Sequence, residues 1–324
     1  METLRYNNEL LSHDKTMTTR IFLLLLFVTL TGYTQDKYLL QNQAIEQMKI
    51  NDFKGAIGLL DKALKTDSTF TQSLYNRGVC NLNLSKVNEA LADFEKAEKY
   101  GFDAYQLFNN IGLCYYHQKK YSDAISYFKK AMEKDSTSKM IYKNKGAAEF
   151  ALGMMASAEQ SFSRVITIDP TDDDGYYNRG YLYYSTHKYN QALDDLNQSV
   201  KLNKFNIDAV FTRAQTHSEL NHLDEATADY TVVIQYRPKD LNSYLGRGLC
   251  NAKQKKYEQA IDDLTEAINI NPDNAQAWFI RGTTFFEMQN LTDACYDWHK
   301  SMSLGMFNAN GLIETYCGSQ EEKK

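Results

Sequence analysis

The sequence predicts an all-α fold, a solenoid of eight helix–turn–helix repeats closed by a C-terminal capping helix. Three observations carry this. Small residues recur every 34 positions, at Ala44, Gly78, Gly112, Gly146, Gly180, Ala214, Gly248 and Gly282. Twelve residues after each stands an alanine (Ala56, Ala90, Ala124, Ala158, Ala192, Ala226, Ala260, Ala294). Four further on the residue is large and apolar or aromatic: Leu60, Phe94, Phe128, Phe162, Leu196, Tyr230, Leu264, Trp298. The only three prolines, Pro170, Pro238 and Pro272, share one phase of the repeat, after the second helix. A proline cannot continue a helix interior, so that phase is a stop.

Residues Leu241–Asn274 show the design of one repeat. A first helix runs over about Leu241–Gln254 with Tyr244, Leu245 and Leu249 as its apolar positions. A second runs over about Glu258–Ile270, with Ile261, Leu264, Ala267 and Ile268 at helical spacing. Gly248 and Ala260 have almost no side chain, which predicts a close approach of the two helix backbones. Neither helix can bury its apolar stripe alone, so neighbouring repeats must supply the other wall.

These residues resemble the tetratricopeptide repeat (TPR) pattern and its 34-residue period. The eighth repeat supplies Trp278, Gly282, Phe285, Ala294 and Trp298; the seventh supplies Tyr244, Gly248, Ala260, Leu264, Ala267 and Pro272. The resemblance covers residues 37–308 as eight uninterrupted units beginning near 37, 71, 105, 139, 173, 207, 241 and 275. It implies a right-handed superhelix whose concave groove, lined by the first helices, receives a protein or peptide partner. The first unit departs most from the pattern, with Gln43 and Gln47 at apolar positions, as terminal units facing water do.

In chain order, residues 1–34 read as an N-terminal extension and signal peptide. Ile21–Leu30 is an unbroken apolar run behind Arg20, too short to span a bilayer and suited to a signal-peptide core. Cleavage before Gln35 would leave Gly32 and Thr34 at the two recognition positions, and Met17 is read as the true start. The alternative is a disordered tail followed by a buried helix. Export to the periplasm or cell envelope follows, with no stable membrane insertion once the signal is removed. Asp172–Asp174 sits just before a helix, where carboxylates meet the positive end of its dipole; the spacing does not fit a calcium loop. After the last repeat, residues 309–317 predict a capping helix with Leu312, Ile313 and Tyr316 as its apolar face, and 318–324 a disordered tail. This closing segment resembles those of exported TPR proteins of the Bacteroidetes group.

Of five cysteines, Cys80, Cys114 and Cys250 share one phase of the first helix, a helix-packing distance apart and beyond disulfide reach. They read as semi-buried small hydrophobes. Cys295 on the last repeat helix and Cys317 on the terminal segment that should pack against it are expected to form a disulfide.

Because the repeats are copies of one design, covariation is visible within the chain. Arg77, Arg179, Arg213, Arg247 and Arg281 precede the small residue in repeats 2, 5, 6, 7 and 8, and the same repeats carry Asp93, Asp195, Asp229, Asp263 and Asp297 sixteen positions later. Repeats 1, 3 and 4 have neither: Gln43, Ile111 and Lys145 stand opposite Leu59, Tyr127 and Ser161. An Arg–Asp contact joining the two helices of a repeat is therefore expected; the rival reading makes these arginines ligand contacts.

A net charge of −5 argues against a general nucleic-acid binder. The six histidines show no metal-binding spacing, and neither a phosphate loop nor a nucleophile elbow occurs, so no cofactor, metal or catalysis is expected. The expected ligand groove is lined by aromatic residues of the first helices, Tyr75, Tyr116, Phe150, Tyr177, Tyr181, Tyr184, Phe211, Phe279 and Phe286, with Asn76, Asn110, Asn144 and Asn178 recurring beside them. Asparagine pairs with a peptide backbone as donor and acceptor, and tyrosine adds contact area at low entropy cost. The competing reading packs the aromatics between repeats and spends the amides locally. The clamp by which some TPR domains hold a C-terminal carboxylate is not expected, since Val79, Leu113 and Tyr181 stand where its leading asparagine would be. The function predicted is a non-catalytic interaction scaffold, with a carbohydrate-binding envelope accessory and a homo-oligomer built through the groove as rivals.

Overall fold

The structure, a computed structural model, describes residues 36–318. The expected signal peptide, its cleavage site, the start at Met17 and the tail over 319–324 lie outside them. The described residues are all-α, and each of two compact units is a solenoid of helix–turn–helix repeats. The described part of the first unit holds α1 (36–49), α2 (Phe53–Thr66), α3 (Thr71–Asn83), α4 (Val87–Lys99), α5 (Tyr105–His117), α6 (Tyr121–Lys134) and α7 (Lys139–Ala151). The second holds α8 (Met155–Ile168), α9 (Asp173–Ser185), α10 (Tyr189–Leu202), α11 (Ile207–Glu219), α12 (Leu223–Tyr236), α13 (Leu241–Lys253), α14 (Tyr257–Ile270), α15 (Ala275–Glu287), α16 (Leu291–Ser303) and α17 (Ala309–Leu312). The single solenoid expected over 37–308 thus divides into two compact units, one ending at Leu152 and the other beginning at Gly153. A spacing rule describes the design of each repeat and is blind to how packing is partitioned along the chain.

Within each unit successive helices pack in order, and the first helices of neighbouring repeats also touch (α3 with α5, α5 with α7, α9 with α11, α11 with α13, α13 with α15). First helices therefore line the more tightly spaced face of each unit. The turn between the two helices of a repeat recurs as faithfully as the glycines. Asn51, Ser85, Lys119, Gly153, His187, Asn221, Lys255 and Gln289, each 34 positions from the next, all have positive φ. In repeat 7 the turn is closed by Lys255 N–H donating to Ala252 O and Lys256 N–H to Asn251 O, both at 2.9 Å, the paired pattern that ends many helices. Seven of the eight positions carry a side chain in this left-handed conformation, at roughly 1 kcal/mol each.

The small residues of the first helices are sockets. A Cβ placed on Gly78 would lie 2.5 Å from the Phe94 ring, on Gly112 2.6 Å from Phe128, and on Gly282 2.8 Å from Trp298. On Gly180 and Gly248 it would lie 2.9 Å from Leu196 and Leu264. Gly248 receives the large residue sixteen positions on, and Ala260 is fully buried in the same cluster as that residue, Leu264. Repeat 6 has Ala214 in place of the glycine, and its large residue, Tyr230, packs in one cluster with Ala214 while its ring also lies against Gly246 of α13.

At the C-terminal end, α17 runs into a π-helical turn over Ile313–Cys317, so the capping segment is helical with a widened last turn. Leu312 and Ile313 pack on Trp298 and Ala294, and Tyr316 lies 4.6 Å, ring to ring, from Phe286. Cys295 and Cys317 are disulfide-bonded. Cys80, Cys114 and Cys250 are free and fully buried, deeper than the semi-buried state expected. Burial pushes the Cys80 thiol up to about 11 and, with the charge of Glu95, that of Cys114 to about 12, which leaves both inert.

Two glycine substitutions separate socket from spacer. Gly78→Ala should lower stability by about 1–2 kcal/mol, overpacking of ~1–3 kcal/mol outweighing the ~1 kcal/mol gained in helix propensity. Gly58→Ala, mid-α2 with nothing within 4 Å of the added Cβ, should raise it by roughly 0.5–1 kcal/mol. Urea unfolding of both variants checks the opposite signs.

Candidate functional site

Two polar systems and one apolar cleft are built on these helices. The first system joins the helices of a repeat. Arg77 donates from Nε and Nη2 to both oxygens of Asp93, at 2.9 and 2.6 Å. The same two-pronged contact links Arg179 to Asp195, Arg213 to Asp229 and Arg281 to Asp297, at 2.7–2.9 Å. Arg247 reaches Asp263 at 2.6–3.1 Å. The third arm was not legible beforehand. Each Nη1 reaches back sixteen residues to the second helix of the preceding repeat: to Asp61, Ser163, Asn197, Thr231 and Thr265, at 2.6–3.1 Å. Every one of those acceptors is polar, and that was the available signal. The guanidinium groups are thus bonded on both sides within the fold, as structural pairs.

The aspartates are nearly buried and their arginines about a fifth exposed. Burial pushes the Asp297 carboxyl up, against the opposing pull of Arg281, while the Asp93 carboxylate holds the Arg77 guanidinium charged more firmly than usual. The repeats without the pair find other ties. In repeat 3, Ile111 is buried and Tyr127 stacks on Tyr115 at 5.5 Å; in repeat 4, Lys145 donates to Glu149 at 2.6 Å within α7.

The second system links first helix to first helix. Asn110 Nδ2 donates to Tyr75 Oη at 3.2 Å, and Asn144 Nδ2 to Asn109 Oδ1 at 2.9 Å. Asn76 is buried, accepts from Gln72 at 3.5 Å, and leaves its Nδ2 without a partner, as does the fully buried Asn109. Asn178 is half-buried. Asn110 and Asn144 therefore hold neighbouring repeats together, and the expected row of ligand-facing amides is in part a row of ties.

Most of the chosen aromatics are likewise engaged. Tyr75 stacks on Phe102 at 4.9 Å, Tyr116 lies against Tyr121 at 5.5 Å, Tyr184 against Tyr189 at 5.9 Å, and Phe211 edge-on to Tyr230 at 6.1 Å. Phe150, Tyr177 and Phe279 are half-buried, and Tyr181, beside Tyr177, is the one exposed member at 42%. Phe286 is a correction: it lies beneath Tyr316 and against Trp298, in the packing of the cap and not in a groove. The C-terminal segment was read as covering the last helix, but which ring it would cover required the fold.

The apolar cleft, of about 360 Å³, opens between α13 and α15. Leu249, Ala252, Tyr257, Phe279, Ile280 and Thr283 line it together with the charged Lys253, Lys255 and Glu287. A larger cleft of about 630 Å³, against α12 and α14, is polar, but its Arg247, Asn251, Asp263 and Thr231 already bond one another. Among the described residues no group of three or more His, Cys, Asp or Glu is placed to hold a metal, and no helix is long and apolar enough to cross a membrane.

Tetratricopeptide repeat models match residues 42–104, 105–138, 161–194 and 242–274, together just over half of the chain. The chain belongs to the tetratricopeptide repeat family, which makes it an interaction scaffold. Among solved structures it is similar to YrrB, described as a TPR protein with an unusual peptide-binding site (17% identity over 58% of this chain and 97% of that one, TM-score 0.54). It is also similar to PilF of Pseudomonas aeruginosa (16%, 64% and 94%, TM-score 0.56). A third is the C-terminal part of a TPR repeat-containing protein from Cytophaga hutchinsonii (17%, 71% and 95%, TM-score 0.60). At these identities the likeness is one of fold. No curated protein matches the chain.

The two kinds of arginine contact should differ in strength. Asp297→Ala leaves the charge of Arg281 largely desolvated and should cost about 3 kcal/mol. Asp61→Ala removes the outer partner of Arg77, itself about half exposed, and should cost less than about 1 kcal/mol. Equilibrium unfolding measures both, and a double-mutant cycle with Arg281→Met isolates the inner pair.

Proposed function

We propose that this chain is a non-catalytic scaffold that binds a peptide or protein partner along its first-helix face, in the periplasm or cell envelope. The observation that carries the reading is the cleft between α13 and α15, where apolar side chains remain open to solvent on the face that first helices line. Its volume of about 360 Å³ suits one or two side chains of a bound segment and is small for a cofactor. The exposed ring of Tyr181 on α9 adds area of the kind partners bury. YrrB, whose description names a peptide-binding site, supports the same use of the fold.

Export is supported by chemistry as well as by the apolar run near the N-terminus. Cys295 and Cys317 form a bond that persists in an oxidising compartment. The glycan-binding alternative draws less support, because a sugar platform needs exposed rings and most of the aromatics selected for it lie against protein.

Photo-crosslinking tests the reading. A crosslinking amino acid at Thr283, in the cleft, should capture a discrete partner in envelope fractions, and one at the exposed Glu266 of α14 should not. Equal yields from both positions, or loss of the Thr283 product on adding glycans, would remove it. The N-terminus of the mature protein, sequenced from the same fractions, should be Gln35; recovery of the unprocessed chain from the cytoplasm would overturn export.

A further inference from the structure

The turn between α11 and α12 differs in chemistry from its counterparts. At its two facing positions the other seven repeats carry Gln47 and Asp52, Asn81 and Lys86, Tyr115 and Lys120, Glu149 and Met154, Tyr183 and Lys188, Asn251 and Lys256, and Phe285 and Asn290. Where Tyr and Lys occupy them, the ammonium sits over the ring, at 5.7 Å for Lys120 on Tyr115 and 5.4 Å for Lys188 on Tyr183. The turn thus brings these two side chains together as a matter of backbone geometry. Repeat 6 places an imidazole at both, His217 and His222.

The two Nδ1 atoms are 3.4 Å apart. At that separation one imidazole can hydrogen-bond the other, at the long end of the range. The same separation matches the edge of a tetrahedron around a borderline divalent ion: zinc–imidazole bonds of about 2.0–2.1 Å place two ligand nitrogens about 3.3–3.4 Å from each other. The frame is stiff. His222 N–H donates to His217 O at 2.8 Å, Asn221 N–H to Ser218 O at 3.1 Å, and Asn221 holds the left-handed conformation that recurs in every repeat. Little ordering remains to be done on binding.

We infer that His217 and His222 form a two-imidazole site for a borderline divalent transition-metal ion such as Zn²⁺, Ni²⁺ or Cu²⁺. Among the described residues no third His, Cys, Asp or Glu is placed to join them, so water would complete the coordination of a bound ion. His222 is exposed and His217 half-buried, so an ion can enter from solvent while one ligand stays fixed in the fold. The field is mixed: Glu225 and Asp229 act on His217 as negative charges and Arg213 as a positive one. Sequence reading found no metal site because two histidines five apart form no recognised ligand spacing along one helix; here they flank a turn. The inference is independent of the groove reading.

The test uses the untagged full chain. Isothermal titration with Zn²⁺ or Ni²⁺ should give one ion per chain, and His222→Gln and His217→Gln should each weaken it at least 10-fold. His299→Gln, at an isolated histidine, should leave it unchanged. With one equivalent of Cu²⁺, electron paramagnetic resonance should show hyperfine splitting from two imidazole nitrogens, reduced to one in His222→Gln. An absent titration, an affinity indifferent to His222→Gln, or a one-nitrogen copper spectrum in the unaltered chain would overturn the assignment. His222 is exposed and outside the core, so this variant remains folded and decisive if His217→Gln does not fold.

Discussion

The fold rests on one steric constraint: a first helix that offers no side chain where the second helix presents its largest. Phe94, Phe128, Leu196, Leu264 and Trp298 each project onto a glycine of the partner helix in their own repeat. Since such a ring or branched side chain contributes on the order of 2 kcal/mol on burial, five of these contacts are a sizeable share of what holds a domain of this kind together. Repeat 6 has Ala214 at the socket position; there Tyr230 packs in one cluster with Ala214 and Ala226 and also lays its ring onto Gly246 of the next first helix, so one side chain serves two repeats.

The arginine forks are the polar counterpart of these sockets. Each takes the aspartate of its own repeat with two nitrogens and spends the third on the preceding repeat, so the guanidinium is a connector with direction. A hydrophobic contact would tolerate sliding of one hairpin against the next. A planar fork held in two places does not, because the angles of its N–H bonds fix the register. The near-burial of the aspartates makes the pair costly to assemble and more costly to break, which suits specification of geometry better than gain of stability. Where the fork is missing, in repeat 3, stacked tyrosines replace it; stacking brings area but leaves rotation about the contact freer.

Much of this was legible because eight copies of one design expose their own constraints. Spacing located the helices to within a residue or two, and the shared presence or absence of Arg and Asp identified a contact before any coordinates. What was missed falls into a pattern. The Nη1 arm ends on Asp, Ser, Asn or Thr, types too varied to register as a repeat although all accept hydrogen bonds. The left-handed turn position carries Asn, Ser, Lys, Gly, His and Gln, because the turn is enforced by the helices on either side, which leaves no composition to read. The aromatics were assigned to a groove by phase alone, and phase states which side of a helix a residue occupies without stating whether a neighbour covers it. Tyr75 and Tyr181 both lie on first helices; one stacks under Phe102 and the other is exposed.

That distinction bears on where a ligand can sit. The position holding Asn76, Asn110 and Asn144 becomes Thr212, Gly246 and Ile280 in repeats 6 to 8. While it is an amide, it can bridge to the residue one repeat back, as Asn110 does to Tyr75 and Asn144 to Asn109, and the bridge consumes the group that would otherwise meet a peptide backbone. At Gly246 no side chain remains to bridge, and at Ile280 none that can hydrogen-bond. It is beside Ile280 that the apolar cleft opens, lined also by Phe279 and Leu249. An amide that ties repeats together and a cleft that admits a partner are alternative uses of one helix phase. The change of residue along the chain decides which use is open to it, and the apolar cleft lies beyond the last of the amide ties.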